Sequence, residues 1–189
     1  MELLIAGLVL VAVLTALNLA LTAAVVRRWR AGPDAPPGAG HHGRSGGEPE
    51  LGIAPGDRMP EFRATAADGA TLTRDGLAGR PALIAFLSLD CPGCDDSVPG
   101  FAEHARLVRD AGGRVLATVV GADAAGSDLA ARLAGVADHV VPEFLDAPLG
   151  AAFGVRYYPG FAHYGPDGIA TAASVGLRGL DEPLRPSTP

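Results

Sequence analysis

The chain has 189 residues, a formal net charge of −6, two cysteines and no lysine. That length accommodates one domain of ordinary size plus an additional segment. The missing lysine excludes Schiff-base and P-loop lysine chemistry. The acidic excess, 11 Arg against 17 Asp plus Glu from Leu51 onward, argues against nucleic acid as a partner, because neutralising phosphate supplies most of that affinity.

In chain order, Leu3 to Val26 carries no charged residue. As a helix it would extend about 36 Å, more than the roughly 30 Å hydrocarbon core of a bilayer. A cleaved signal peptide would want a basic start and a shorter apolar run, whereas here Glu2 precedes the run and the arginines follow it. No cysteine follows closely enough to take a lipid. Arg27-Arg28-Trp29-Arg30 places cations and an interfacial aromatic where such a helix would leave the membrane. Composition then shifts to Gly and Pro with scattered charge and no apolar period, which predicts a flexible tether. His41 and His42 lie within it as a solvated pair, with no cysteine or carboxylate cluster beside them. The organisation is therefore a transmembrane anchor over residues 1–28, a linker over 29–54 and a folded domain over 55–189.

Within the folded part, Met59 to Thr65 and Ala70 to Leu72 flank Asp68-Gly69, a hairpin turn signal. Ala82 to Ser88 is apolar on both alternating faces, as a central parallel strand requires. Leu89-Asp90-Cys91-Pro92-Gly93-Cys94-Asp95-Asp96 follows at once and holds both cysteines in a C-x-x-C spacing. Cys94, Val98, Phe101, Ala105 and Val108 then recur at intervals of three and four. This helical period buries the second cysteine and leaves the first at an exposed helix N-terminus. Two thiols one turn apart can close a disulfide, and the unpaired N–H groups and dipole of a helix start stabilise a thiolate on Cys91. Pro99 is expected to kink this helix.

Arg114 to Val120 reads as a second buried strand, Ser127 to Ala134 as a helix, His139 to Val141 as a short strand and Leu149 to Phe153 as a brief helix. Phe161 to Tyr164 and Ile169 to Val175 form a hairpin about Gly165-Pro166-Asp167-Gly168. Strands alternating with helices and closed by a hairpin define an α/β fold with a mixed sheet.

This constellation includes the hairpin, the buried strand, C-x-x-C at a helix start, Pro99 five residues beyond Cys94, and Tyr158-Pro159 before a hairpin containing Asp167-Gly168. Together these resemble the membrane-anchored TlpA/ResA-like thioredoxin-fold proteins. Phe86 to Cys94 is similar to the methylamine-utilisation (MauD-like) thiol-disulfide branch. The resemblance spans roughly Pro55 to Val175. It implies a thioredoxin-like fold with an N-terminal hairpin extension, a cis Tyr158–Pro159 bond beside the cysteines, and no cofactor. Tyr158 and Pro159 would position the substrate backbone. Three departures stand out: Asp90 replaces the common tryptophan before the first cysteine, the intervening pair is Pro-Gly, and the closing helix is nearly absent after Gly176. An acid beside Cys91 opposes thiolate formation, which makes Asp90 a modulator of the Cys91 pKa and predicts a reducing couple. The missing helix predicts a sheet face that the anchor or a partner covers.

The implied reaction is thiol–disulfide exchange. Cys91 attacks a protein disulfide, Cys94 resolves the mixed disulfide, and a thiol electron donor restores the pair. Other readings of the cysteines are an inert disulfide, or half a zinc site completed by a second copy or by His104, His139 and His163. A peroxiredoxin-like peroxidase would want P-x-x-x-T/S-x-x-C; Ser88 fits the hydroxyl position but Ile84 stands where the proline belongs. A non-catalytic thioredoxin-like binding module is the third possibility. The arginines after the apolar run predict a cytoplasmic domain by the positive-inside rule, whereas the resemblance implies an extracytoplasmic one.

Overall fold

The computed structural model describes residues 50–180 and Thr15. Apart from Thr15, the apolar run Leu3 to Val26 lies outside the described residues, as do the arginine cluster, the linker histidines and the C-terminal tail. Among the described residues no helix is long and apolar enough to cross a membrane.

Strands β1 (Arg63–Thr65) and β2 (Thr71–Thr73) pair antiparallel as a separate hairpin. Its turn is set by Gly69, at φ 83°, and by the Asp68 carboxylate, which accepts the Ala70 N–H at 2.9 Å. β1 is shorter than the apolar pattern from Met59 predicts. Pro60 has no N–H to give a ladder, and Met59 instead donates to the Gly168 carbonyl at 2.8 Å. A one-turn helix that the sequence reading did not anticipate, α1 (Arg74–Leu77), follows β2 and is capped by Thr73.

The main sheet contains β3 (Ala82–Ser88), β4 (Arg114–Val120), β5 (His139–Glu143), β6 (Gly160–Tyr164) and β7 (Ala170–Val175). Their order is β5-β4-β3-β6-β7; β3, β4 and β5 run parallel, while β6 opposes β3 and β7 opposes β6. Every residue of β3 is buried, which is what a strand covered on both faces requires. Helix α2 (Pro92–Asp110) joins β3 to β4 and α3 (Asp128–Ala134) joins β4 to β5. The short α4 (Pro148–Ala152) precedes β6. Ser127 caps α3 by accepting the Ala130 N–H at 3.2 Å, an interaction typically contributing about 1 kcal/mol.

The alternation of β3 divides the core in two. Leu83, Ala85 and Leu87 face α2 and α3, meeting Phe101, Ala105, Leu129 and Leu133. Ala82, Ile84 and Phe86 face a second cluster closed by Leu51, Ile53, Met59, Leu72 and Phe153. Phe153 is its hub, with ring centroids 5.5 Å from Phe62, 5.3 Å from Phe86 and 6.0 Å from Tyr164. The face opposite α2 is thus closed by the chain itself. On the α2 face a 3-10 turn, Arg178–Leu180, follows β7, with Leu177 and Leu180 packed on the core. Leu177 lies against Gly100, where an added Cβ would come within 2.6 Å of its Cδ1. β7 beyond Ala170 remains half-buried.

Candidate active site

β3 ends at Ser88, and the next residue is tied to β4 through the Leu89 N–H and the Val120 carbonyl at 2.9 Å. The chain turns there, with the Ser88 Oγ accepting the Asp90 N–H at 3.3 Å and the Ser88 carbonyl accepting the Cys91 N–H at 3.3 Å. Cys91 becomes the N-cap of α2 in extended conformation, and Pro92 starts the helix, where the absent N–H of proline costs nothing. Cys94 falls one turn later on the buried stripe with Val98, Phe101, Ala105 and Val108.

The two cysteines are joined in a disulfide with a Cα–Cα separation of 5.4 Å, within the span a relaxed disulfide bridges. Their environments differ. Cys94 is fully buried and its Sγ accepts the Ser88 N–H at 3.4 Å, whereas Cys91 is partly exposed. One sulfur can be reached from solvent and the other is enclosed by backbone and core.

Pro159 immediately precedes β6, the neighbour of β3 in the sheet. The Tyr158–Pro159 bond is cis, and Pro159 Cδ lies 3.9 Å from where a Cβ on Gly93 would stand. Gly93, the second of the two residues between the cysteines, therefore faces the proline, and a Cβ there would stand in ordinary contact with its ring. Tyr158 is half-buried and touches both core clusters. Its hydroxyl lies against Gly150, 3.4 Å from the position of an added Cβ. Burial, with the nearby Glu143 second, raises its pKa.

The acids flanking the cysteines are not equivalent. Asp90 and Asp96 are exposed. Asp95 is held by Arg132 of α3, at 2.6 Å from Nη1 to Oδ1, so its charge is compensated. Arg132 Nη2 also donates to the Asp95 carbonyl at 3.1 Å. Pro99, four residues later, has no N–H to satisfy that carbonyl, and α2 nonetheless continues through it to Asp110. A helix proline four residues after an acid is the signal that could have pointed to an external donor; its identity was not readable locally.

Two more residues escaped the sequence reading. Glu143, at the end of β5, is only 5 % exposed; its carboxylate accepts the N–H groups of Leu149 at 2.6 Å and Gly150 at 3.4 Å. It anchors α4 under Tyr158, and desolvation raises its pKa against those bonds. Ser88, weighed earlier only as a peroxiredoxin hydroxyl, instead organises the turn through both its N–H and its Oγ. Ile84 is wholly buried mid-strand.

The zinc reading finds no assembled partner set. His104 meets the Gly100 carbonyl, His139 the Asp68 carboxylate and His163 the Thr171 hydroxyl. Among the described residues no group of three or more His, Cys, Asp and Glu could hold a metal. What the arrangement can do chemically is open and close its own disulfide against a second one.

A family model described as Redoxin matches residues 54–164. The thioredoxin domain of a thiol-disulfide oxidoreductase from Bacteroides vulgatus superposes with a TM-score of 0.54 at 15 % identity, covering 66 % of this chain and 90 % of that one. A protein of Chlorobium tepidum described as thiol:disulfide interchange protein DsbE gives 0.54 at 23 %, covering 68 % and 90 %. A second interchange protein of that organism, of the thioredoxin family, gives 0.51 at 19 %, covering 67 % and 90 %. These likenesses establish a thioredoxin-like α/β fold. Among curated proteins none matches. With the family match extending over more than half of its length, this chain belongs to the Redoxin family.

Proposed function

We propose that the protein is a thiol-disulfide oxidoreductase that reduces disulfides in protein substrates while tethered to a membrane by residues 1–28 through the 29–54 linker. The observation that carries the reading is the disulfide between partly exposed Cys91 at a helix start and buried Cys94, with cis Pro159 beside it. Family membership and neighbours described as disulfide interchange proteins support it. The anchor reading rests on the uncharged run Leu3 to Val26, and the TlpA/ResA-like, MauD-like assignment on Phe86 to Cys94 and Tyr158-Pro159.

In the reduced enzyme the Cys91 thiolate attacks one sulfur of a substrate disulfide. A Cys91–substrate disulfide forms, and the other substrate sulfur leaves as a thiolate that takes up a proton. Cys94, having lost its proton, attacks Cys91 Sγ and releases the second substrate thiol. Two electrons and two protons have then moved to the substrate, and the enzyme holds the Cys91–Cys94 disulfide. A dithiol donor reverses the last state. Asp90, beside Cys91, disfavours the thiolate and biases the couple toward reduction of substrates. Tyr158 and Pro159 hold the substrate backbone during attack.

Cys94→Ser retains the nucleophile and removes the resolving thiol, so it should accumulate a mixed disulfide with substrate protein, while Cys91→Ser should trap nothing. If Cys94→Ser captures no disulfide partner and the wild type reduces no model disulfide, the reading fails; peroxide consumption with a thiol donor would then favour the peroxidase. The charge rule and the resemblance give opposite sides for the domain, and a reporter fused after Pro189 and active on one side only decides between them.

A further inference from the structure

The carboxyl ends of β3, β4 and β5 and the loop leading into β6 lie side by side along one end of the sheet, the end at which the disulfide follows β3. Leu89 N–H to the Val120 carbonyl, and Gly121 N–H to the Glu143 carbonyl at 3.0 Å, join the first three loops in a row. Gly160, opposite Phe86 near the end of β3, brings in the fourth. Five large apolar side chains are exposed among the described residues, and four of them stand on these loops: Leu89 at 38 %, Phe144 and Leu145 at 60 %, and Tyr157 at 48 %. Leu89 lies over Gly121, where an added Cβ would come within 2.6 Å of its Cδ1. It borders a depression of about 700 Å³ with Leu129 in its lining and Asp95, Asp128 and Arg132 around it.

Exposed apolar side chains gathered at one edge indicate a surface that meets another molecule. The charge beside them says what kind. Asp90, Asp95, Asp96, Asp123, Asp128 and Asp146 stand on the same loops and helix starts, all exposed. Against them are Arg132, which pairs with Asp95 so that the two charges cancel, and Arg156, which leaves five aspartates against one arginine.

We propose that these four loops dock the substrate of the reaction assigned above. They select a disulfide carried on a polypeptide segment with basic and apolar side chains around its cysteine, and disfavour anionic disulfides such as glutathione disulfide. The proposal rests on the thiol-disulfide reading and adds the substrate class. Leu89, Phe144, Leu145 and Tyr157 supply apolar contact around Cys91, where truncating a few central residues removes most of the affinity. The aspartates attract a cationic segment and repel an anionic one before contact, an effect that fades once salt shortens the screening length.

The test uses the full-length protein in neutral detergent, reduced with excess dithiol. Initial rates are measured on three disulfide-linked peptides with the same apolar residues and with basic, neutral or acidic flanks, alongside hydroxyethyl disulfide and glutathione disulfide. kcat/KM is expected to fall from basic to neutral to acidic, with the extremes differing by about 10-fold or more at low salt. The difference should collapse in high salt. Asp123→Asn/Asp146→Asn should narrow the basic-to-acidic ratio, and Phe144→Ser/Leu145→Ser should raise KM for all three peptides. Reduction of hydroxyethyl disulfide with equal kcat/KM on basic and acidic peptides, or glutathione disulfide as the best substrate, overturns the docking proposal and leaves the redox reading standing. No exchange with any disulfide overturns both.

Discussion

Arg132→Ala removes two bonds from the helix that carries the cysteines. The Nη1–Asp95 carboxylate pair is half-exposed on both sides, at 47 % and 59 %, and exposed pairs contribute about 0.2–1 kcal/mol. The Nη2 bond to the carbonyl that Pro99 leaves without a helical donor adds about 0.5–1.5 kcal/mol. The variant should therefore lose about 1–2 kcal/mol, which lowers Tm by roughly 3–6 °C in a domain of this size. Equilibrium urea unfolding of the full-length chain, followed by far-UV circular dichroism, measures the cost. Pro99→Ala supplies the missing N–H to the Asp95 carbonyl. In that background Arg132→Ala should cost less, by about 0.5–1 kcal/mol, the coupling energy of a double-mutant cycle. Equal costs in the two backgrounds would refute the carbonyl argument, and no measurable cost in either would refute the ion pair as well.

Glu143 offers a pH test. Desolvation raises its folded pKa above the ordinary 4.5, so its stabilising contribution is complete below that value and is lost as pH rises through the folded pKa. Glu143→Gln cannot ionise, and its stability relative to wild type should improve as pH rises from below 4.5 through the folded pKa and then level off; a difference in urea midpoints that does not change with pH would contradict this. Thr118 lies fully buried in β4 with its Oγ1 unpartnered. Thr118→Val should stabilise the protein by about 1 kcal/mol, and a lower unfolding midpoint would show that the hydroxyl is satisfied. Asp90→Asn removes the charge beside Cys91, which favours the thiolate and should make the couple more oxidising. Equilibration against a dithiol buffer measures the potential, and an unchanged or lower value counts against the role of Asp90.

The sequence by itself determined what depends on neighbours along the chain. Six apolar residues in a row, closed by a serine, read as a strand covered on both faces, and Ala82–Ser88 is that strand. The interval from Cys94 through Val98, Phe101, Ala105 and Val108 placed the second sulfur in the core, because a helix repeats its faces every three to four residues. Asp68-Gly69 and Asp167-Gly168 marked their turns, since each glycine takes a positive φ that other residues resist. Tertiary structure alone decided what joins distant segments. Local periodicity carries no record that Arg132 satisfies a carbonyl 37 positions earlier, or that Phe153 gathers Phe62, Phe86 and Tyr164 into the second core. It is equally silent on why a glutamate ends β5, because the N–H groups of Leu149 and Gly150 that Glu143 accepts are presented by a helix start folded back beneath Tyr158. The strand order β5-β4-β3-β6-β7 belongs to the same class. It sets the carboxyl end of β3, between β4 and β6, beside Pro159 and so brings the proline to the pair of cysteines, through backbone hydrogen bonds that any apolar strand could have made and that only the packed whole selects.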